Sequence, residues 1–321
     1  MQLDQAIQIP RRLQENVAKV IIGKDRQIAL VIAALLAKGH VLLEDVPGTG
    51  KTMLARSLAA SMGGVFHRVQ FTPDILPSDV TGMSVYNQKD QVFEFKPGPI
   101  FAQVVLADEI NRATPRSQSS LLECMEERQV TNDGVTRPLP EPFFVIATQN
   151  PVEIQGTFPL PEAQLDRFLV QLGLGYPNPE ETLSMMDRFI QDSPVESLQP
   201  VTTPEELAQA QAFVRTIHVS QPVRAYMAAL VEATRTHERV ALGVSPRGAL
   251  ALMKGCQAYA LVQGRDYVLP DDVKAMASAV LAHRMMIKNA LGSSRQAAQA
   301  VLEELLAQVP VPDEDTAAKR G

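Results

Sequence analysis

The pattern of apolar and polar positions divides the chain into two parts. In the first part, short apolar runs alternate with stretches of helical periodicity, and they predict strands at 40–44, 65–71, 101–108, 142–149 and 168–174. Short apolar strands separated by helices are typical of a parallel sheet covered by helices on both faces. From about residue 176 the chain is rich in Ala, Leu and Gln, has helical periodicity and contains no convincing strand. The pattern therefore predicts an α/β domain over residues 1–175 and a helical domain over residues 176–308.

Two insertions and the chain end depart from this pattern. The segment near 82–100 has polar residues between two potential strands and predicts a hairpin. The segment near 128–142 contains Asp133-Gly134, the strongest short hairpin signal, and predicts a second one. Residues 309–321 are polar, contain prolines and lack an apolar period, so we expect a disordered tail.

The stretch EDVPGTGKT, residues 44–52, resembles a phosphate-binding loop with one departure. The usual pattern is G-x-x-x-x-G-K-[ST], and the position of its first glycine is occupied by Asp45. Lys51 is expected to reach the β- and γ-phosphates of a nucleotide, and the Thr52 hydroxyl to hold Mg²⁺. Because a carboxylate facing a triphosphate is repelled, we expect Asp45 to turn away and cap a local N–H or face the helical domain.

Two further predicted strands end on polar residues. The strand in VVLADEI ends on Asp108 and Glu109, where open α/β sheets bind ligands. Asp108 is expected to contribute to the Mg²⁺ shell through water, and Glu109 to polarise the attacking water as a general base. The strand in VIATQNP ends on Asn150, whose amide either positions that water or contacts the γ-phosphate, or else simply forms an Asn-Pro turn.

Several charged residues outside these motifs leave alternatives open. Arg167 comes just before an apolar strand. It is either an arginine finger or the ion-pair partner of a neighbour such as Asp166. Arg247 lies in the first turn of a predicted helix, where a cation is unfavourable unless an anion is near, so a phosphate-sensing role is favoured. Arg112 and Arg116 either support the residues of the nearby acidic pair, or form inter-subunit contacts, or are surface residues. The charged stretch 124–130 is interpreted as a solvated helix end.

The order of these motifs resembles the AAA+ ATPases. The phrases most similar to one family within them, the MoxR ATPases, occupy residues 70–82, 95–101, 107–131, 143–168 and 244–252. The resemblance spans roughly residues 10–300. It implies a three-layer αβα core with a parallel sheet and an all-helical lid, assembled as a ring that is commonly a hexamer. It also implies ATP and Mg²⁺ as cofactors.

The resemblance assigns roles to individual positions. Those expected to contact nucleotide or its metal are Ile21, Ile22, Pro47, Gly48, Thr49, Gly50, Lys51, Thr52, Met53 and Asp108. Those expected to act in catalysis are Glu109, Asn150 as sensor 1, Arg167 as arginine finger and Arg247 as sensor 2. The two predicted hairpins match the helix-2 insert and the pre-sensor-1 hairpin, which in relatives face the ring pore.

The resemblance also suggests what the ATPase serves. MoxR proteins are chaperone-like and often work with von Willebrand factor A (VWA) domain partners to mature or activate protein complexes. The ATPase subunit of magnesium chelatase and a nucleic-acid motor remain alternatives. The client, the partner and the ring size are not legible in the sequence.

Composition indicates which partners and which cellular compartment to expect. The net charge of −6 argues against a general nucleic-acid coat. Cys124 and Cys256 are far apart and favour a reducing compartment, and the five histidines lack metal-ligand spacing. The start lacks the apolar core of a signal peptide, and the longest apolar run, 28–37, is too short to span a bilayer. We therefore expect a cytoplasmic protein without membrane insertion.

Overall fold

The protein is described by a computed structural model over residues 1–151, 156–190, 194–289 and 294–312. The helices are α1 Leu3–Val17, α2 Asp25–Leu36, α3 Lys51–Ser61, α4 Pro77–Thr81, α5 Pro115–Glu127, α6 Glu162–Leu165, α7 Pro179–Phe189, α8 Pro204–Val214, α9 Gln221–Thr236, α10 Pro246–Val262, α11 Pro270–Leu281 and α12 Ser294–Gln308. The strands are β1 Val41–Glu44, β2 Phe66–Gln70, β3 Gly82–Asn87, β4 Val92–Pro97, β5 Val104–Asp108, β6 Gln129–Asn132, β7 Val135–Pro138, β8 Phe144–Gln149, β9 Val170–Leu172, β10 Val240–Leu242 and β11 Met286–Ile287.

A five-stranded parallel sheet in the order β2-β5-β8-β1-β9 forms the centre of the first part. Each of the five predicted strands belongs to it. Successive residues of β1 pack into different cores, since Val41 and Leu43 join one apolar cluster and Leu42 joins the other. Both faces of the sheet are therefore covered, which explains why the central strands β5 and β8 are almost entirely buried, whereas the edge strand β2 carries exposed polar residues. The predicted three-layer α/β architecture is confirmed.

Two antiparallel hairpins project from this core. Strands β3 and β4 pair from Gly82 with Pro97 to Asn87 with Val92. Strands β6 and β7 are joined through Asp133 and Gly134, which both have positive φ, at 52° and 75°. Positive φ at both central residues is the two-residue turn that suits the right-handed twist of paired strands.

The region after β9 is mainly helical, as predicted, but the expectation that it contains no strand is wrong. Strands β10 and β11 form a short antiparallel pair. With three and two residues, they are too short to give a period in the sequence. The disordered-tail prediction falls mostly on residues 313–321, outside the described residues.

One apolar cluster joins the N-terminal helices to the helical region. It includes Ile9 of α1, Ile32 of α2, Leu207 of α8 and Leu252 of α10. The segment that precedes β1 is thus packed against both the sheet and the later helices. Within the described residues, no helix has the length and apolar character needed to cross a bilayer.

Candidate nucleotide site and a separate arginine cleft

The loop between β1 and α3 has the backbone of a phosphate-binding turn. Gly48 and Gly50 adopt φ of 84° and 92°, values that L side chains rarely adopt. An added Cβ at either glycine would meet no atom within 4 Å, so the requirement is conformational rather than steric. The loop ends at the N-terminus of α3, where unpaired N–H groups and the helix dipole favour an anion.

This loop borders a pocket of about 420 Å³ at the carboxyl edge of the sheet. The predicted residues that line it are Pro47, Gly48, Gly50, Lys51, Thr52, Met53, Asp108, Glu109 and Asn150. Three strands contribute their ends, because parallel strands finish at the same edge. The structure thus brings the three sequence motifs, which lie at residues 44–52, 108–109 and 150, into one site.

Lys51 is held within the loop. Its Nζ donates to the carbonyl oxygens of Asp45 at 2.9 Å and Val46 at 2.7 Å. Burial lowers the pKa of Lys51, whereas the nearby carboxylates of Asp45, Asp108 and Glu109 oppose that shift. Both acceptors are neutral, so the positive charge of the ammonium is available to an anion bound by the loop.

Asp45 caps backbone N–H groups, as one of the two sequence-based alternatives states. Its Oδ1 accepts from Val46 N at 2.9 Å. Its Oδ2 accepts from Leu174 N at 2.8 Å and Gly175 N at 2.7 Å, just after β9. The departure from the glycine pattern therefore ties the phosphate loop to the segment that leaves the sheet.

The acidic pair at the end of β5 is oriented by Thr148 of β8. The Thr148 hydroxyl donates to Asp108 Oδ1 at 2.7 Å and accepts from Glu109 N at 2.8 Å. Glu109 itself lies in the left-handed region, with φ of 57° and ψ of 49°. This strained backbone conformation is held by the hydrogen bond from Glu109 N to the buried Thr148 hydroxyl.

Two residues of β2, missed by sequence reasoning, contact these carboxylates. Arg68 donates through Nε and Nη2 to Asp108 Oδ2, at 3.0 and 2.6 Å. Gln70 Nε2 donates to Glu109 Oε2 at 2.8 Å, and Gln70 Oε1 accepts from Arg68 at 2.8 Å. Polar residues at alternate positions of a strand share a face, so the pattern HRVQ held a signal for this pair.

Arg112 and Arg116, whose roles the sequence left undecided, have different surroundings. Arg112 pairs with Glu109, with Nε 3.1 Å from Oε2, whereas Arg116 is exposed on α5.

Ile21 is buried and Ile22 half-buried in the loop between α1 and α2. Neither isoleucine is among the residues that line the phosphate-loop pocket, so their role toward adenine stays a prediction.

Arg167 and Arg247 lie in a second cleft, of about 310 Å³, rather than in the phosphate-loop pocket. Both bind the same carboxylate, because Glu126 Oε2 is 3.2 Å from Arg167 Nη1 and Glu126 Oε1 is 2.9 Å from Arg247 Nη2. Asp166, the alternative partner for Arg167, instead pairs with Arg284 at 2.5 Å. Glu126 is exposed at the end of α5, as the interpretation of 124–130 as a solvated helix end predicts, and it also pairs with both arginines.

The two clefts lie at opposite edges of the parallel sheet. The phosphate loop follows the last residue of β1, whereas the arginine cleft is lined by Lys38, Gly39 and His40, which precede its first residue. Arg167 likewise precedes β9. The sheet therefore separates both arginines from the phosphate loop of their own chain.

His40 is a structural residue of the arginine cleft. Its Nε2 lies 3.1 Å from the carbonyl oxygen of Met125, and its Nδ1 accepts from Val145 N at 3.0 Å. These two partners are satisfied together only by the neutral ring with its proton on Nε2. Burial, followed by the positive charge of Arg128, lowers the pKa of His40 from 6.5 to about 3.

Comparison with known proteins agrees with this geometry. The ATPase family associated with various cellular activities (AAA) matches residues 40–170, and the AAA lid domain matches residues 232–305. A solved structure from Cytophaga hutchinsonii superposes with a TM-score of 0.86 at 36% identity, covering 97% of this chain and 98% of that one. The fold and the phosphate-loop pocket thus define an AAA-type ATPase, an enzyme that binds and hydrolyses ATP.

Relatives narrow the class. The chain is 52% identical over 305 residues to the uncharacterized protein YeaC of Bacillus subtilis (strain 168), covering 95% of both. It is 40% identical over 315 residues to Chaperone MoxR1 of Mycobacterium tuberculosis, covering 95% of this chain and 83% of that protein. The chain belongs to the MoxR family of chaperone-like AAA+ ATPases.

Proposed function

We propose that this ATPase works as a ring, commonly a hexamer in its family, and uses ATP hydrolysis to remodel, mature or activate a partner protein complex. The observation that carries the proposal is the separation of the phosphate loop from Arg167 and Arg247 by the sheet. An arginine that acts on γ-phosphate from that position must act on the nucleotide of a neighbouring subunit. A head-to-tail contact of this kind forms a ring when the rotation between successive subunits closes.

Within the pocket, the oxygen donors suit Mg²⁺. The Thr52 hydroxyl and the Asp108 carboxylate both line the pocket, and hard oxygen ligands with intervening water are what Mg²⁺ prefers. When bound, Mg²⁺ neutralises charge on the phosphate oxygens. Thr52 and Asp108 would hold it, and the hydrogen bond from the Thr148 hydroxyl fixes the orientation of the Asp108 carboxylate.

The remaining roles fall to residues of the two clefts. Lys51 binds the β- and γ-phosphates, and Glu109 accepts a proton from the attacking water while Asn150 orients that water. Gln70 and Arg112 hold the Glu109 carboxylate and so set its direction. Arg167 and Arg247 of the next subunit supply positive charge to the γ-phosphate.

Ile21 and Ile22, which line neither cleft, are the residues we assign to adenine.

The β3–β4 hairpin is the surface we assign to a protein client. Tyr86 and Phe93 pack together with ring centroids 5.2 Å apart, yet Phe93 is 73% exposed. Val85 and Val92 are also exposed, and they lie on the opposite face of the hairpin. Exposed clusters of this kind mark protein contact sites. A VWA-domain partner and a cytoplasmic location are supported by family membership, and the acidic net charge disfavours nucleic acid as the client.

The proposal is tested with a Glu109→Gln variant used as a trap in native extract with ATP. We expect a protein complex containing a VWA domain to co-purify, and to be lost when Phe93→Ser is added. Thr131→Ser, on the other hairpin, is the control and should retain the complex. Recovery of nucleic acid, with ATPase activity stimulated by DNA in a salt-sensitive way, would contradict a protein client.

A further inference from the structure

The arginine cleft carries an excess of positive charge that its own carboxylates do not balance. The charged residues lining it are Lys38, Arg128, Arg167, Arg247, Lys254 and Arg284, against Glu126 and Asp166. Asp166 is committed to Arg284, which is buried and also donates to the Asp166 carbonyl oxygen at 3.0 Å. Glu126 is therefore the carboxylate left for both Arg167 and Arg247.

The way Glu126 binds the two arginines resembles the way a phosphate binds them. One carboxylate oxygen faces each guanidinium, and Arg167 Nη1 is fixed further by the Leu122 carbonyl oxygen at 2.8 Å. Glu126 belongs to α5, Arg167 precedes β9 and Arg247 begins α10. One anion thus brings together guanidinium groups from three elements, as phosphate oxygens do when two arginines bind them.

The Glu126 contacts are suited to exchange. The side chains of Arg167, Glu126 and Arg247 are all partly exposed, and exposed ion pairs contribute little to stability. A terminal phosphate carries more negative charge than a carboxylate and offers three oxygens. A phosphate presented to the cleft can therefore compete with Glu126 for the two guanidinium groups.

We propose that Glu126 is an internal stand-in for phosphate, which holds Arg167 and Arg247 until the nucleotide of a neighbouring subunit displaces it. This inference rests on the proposed action of the arginines across subunits. It makes Glu126 a competitor that raises the subunit concentration needed for productive contact. In the assembled, nucleotide-bound state Glu126 has released the arginines and is not needed for turnover.

The test compares Glu126→Gln with Glu127→Gln in steady-state ATPase assays across a range of protein concentrations at saturating Mg-ATP. Glutamine keeps the size of Glu126 and removes its charge. Glu127 is an exposed neighbour that, in the described part of the chain, forms an ion pair with neither arginine. For Glu126→Gln we expect the half-maximal protein concentration to fall about threefold to tenfold. The kcat at saturating protein should stay within about twofold of the parent.

Two outcomes would overturn the stand-in role. One is a fall in kcat at saturating protein with an unchanged half-maximal concentration, which would make Glu126 necessary in the assembled state. The other is a Glu126→Gln profile that matches Glu127→Gln. A second measurement, ATP-dependent self-association by sedimentation, should show tighter assembly of Glu126→Gln only when Arg167 and Arg247 are intact. Equal tightening in an Arg167→Ala/Arg247→Ala background would contradict competition for the arginines.

Failure of this inference is distinguishable from failure of the proposed function. If Arg167→Ala and Arg247→Ala each leave turnover of the assembled protein unchanged, action across subunits is wrong whatever Glu126 does. If both abolish turnover while Glu126→Gln behaves as the parent does, only the stand-in role is wrong.

Discussion

The phosphate-loop pocket and the arginine cleft differ in how their charges are satisfied. In the pocket, Asp108 is bound by Arg68 and Thr148, and Glu109 is bound by Gln70 and Arg112. In the cleft, two guanidinium groups share the carboxylate of Glu126. One chain therefore contains the acidic and nucleotide-binding half of an ATPase site in finished form. The two arginines that we propose act on the nucleotide of a neighbouring subunit lie at the opposite edge of the sheet.

The largest expected effect comes from breaking the cleft. Arg167→Ala should reduce kcat of the assembled protein by about 10³–10⁵, the range found where an arginine finger acts. ATP binding should persist, because Arg167 does not line the phosphate-loop pocket. Turnover and nucleotide affinity measured on the same preparation test this. If nucleotide binding were lost to the same extent as turnover, Arg167 would be needed for nucleotide binding in its own chain, which contradicts its assignment to the arginine cleft.

Breaking the pocket should give the next largest effect. Glu109→Gln should slow turnover by about 10²–10⁴, since it removes the general base but keeps the size of the side chain. Nucleotide affinity should be retained, because Lys51 and the loop N–H groups are unchanged. Single-turnover hydrolysis and equilibrium binding measure the two quantities separately. Hydrolysis at the parent rate would show that Glu109 is not the base.

Stability at acidic pH depends on a residue of the arginine cleft. The unfolded state takes up a proton on His40 near pH 6.5, whereas the folded state does so only near pH 3. The unfolded state thus binds more protons between these values, and stability is lost as the pH falls below about 6.5. At pH 5 the loss from this group is about 2 kcal/mol. Denaturant titrations at pH 7 and pH 5 should show it.

Two variants isolate that contribution. His40→Gln has no titrating ring and should have a smaller difference in the free energy of unfolding between pH 7 and pH 5 than the parent. His67→Gln, which replaces an exposed histidine, should keep the parent difference. Equal pH dependence of His40→Gln and the parent would show that His40 does not titrate on unfolding.

The smallest expected effect concerns the departure from the glycine pattern. Asp45→Gly should change nucleotide affinity by less than about tenfold, since Asp45 bonds to the N–H groups of Val46, Leu174 and Gly175. Titration of a labelled nucleotide measures this. A gain of tenfold or more would show that the Asp45 carboxylate restrains phosphate binding.

Whether a site residue could be predicted from the sequence depends on whether its partners are close to it in the chain. Lys51, Thr52, Asp108 and Glu109 belong to local motifs at strand ends, so the sequence identified them and the five central strands. Arg68 contacts Asp108 from 40 residues away, through a strand register that no local pattern specifies. The role of Thr148 could not be predicted for the same reason, since it bonds to Asp108 from another strand.

The pairing of Glu126 with the two arginines could not be predicted, for a different reason. A glutamate near a helix end is usually solvated, and its role here depends on Arg167 and Arg247 arriving from two other elements. The strands β10 and β11 were missed because they are too short to leave a period. Side-chain contacts between distant elements are therefore the part of the site that required the structure.

The most direct test of the account mixes two inactive variants, Lys51→Ala and Arg167→Ala, before assembly. The first lacks a working phosphate loop but keeps its arginines, and the second has the reverse defect. If the finger acts across subunits, a one-to-one mixture should recover up to about one quarter of the parent turnover, the share of interfaces that pair an intact pocket with an intact arginine. Turnover no greater than that of the two variants measured separately would contradict the account.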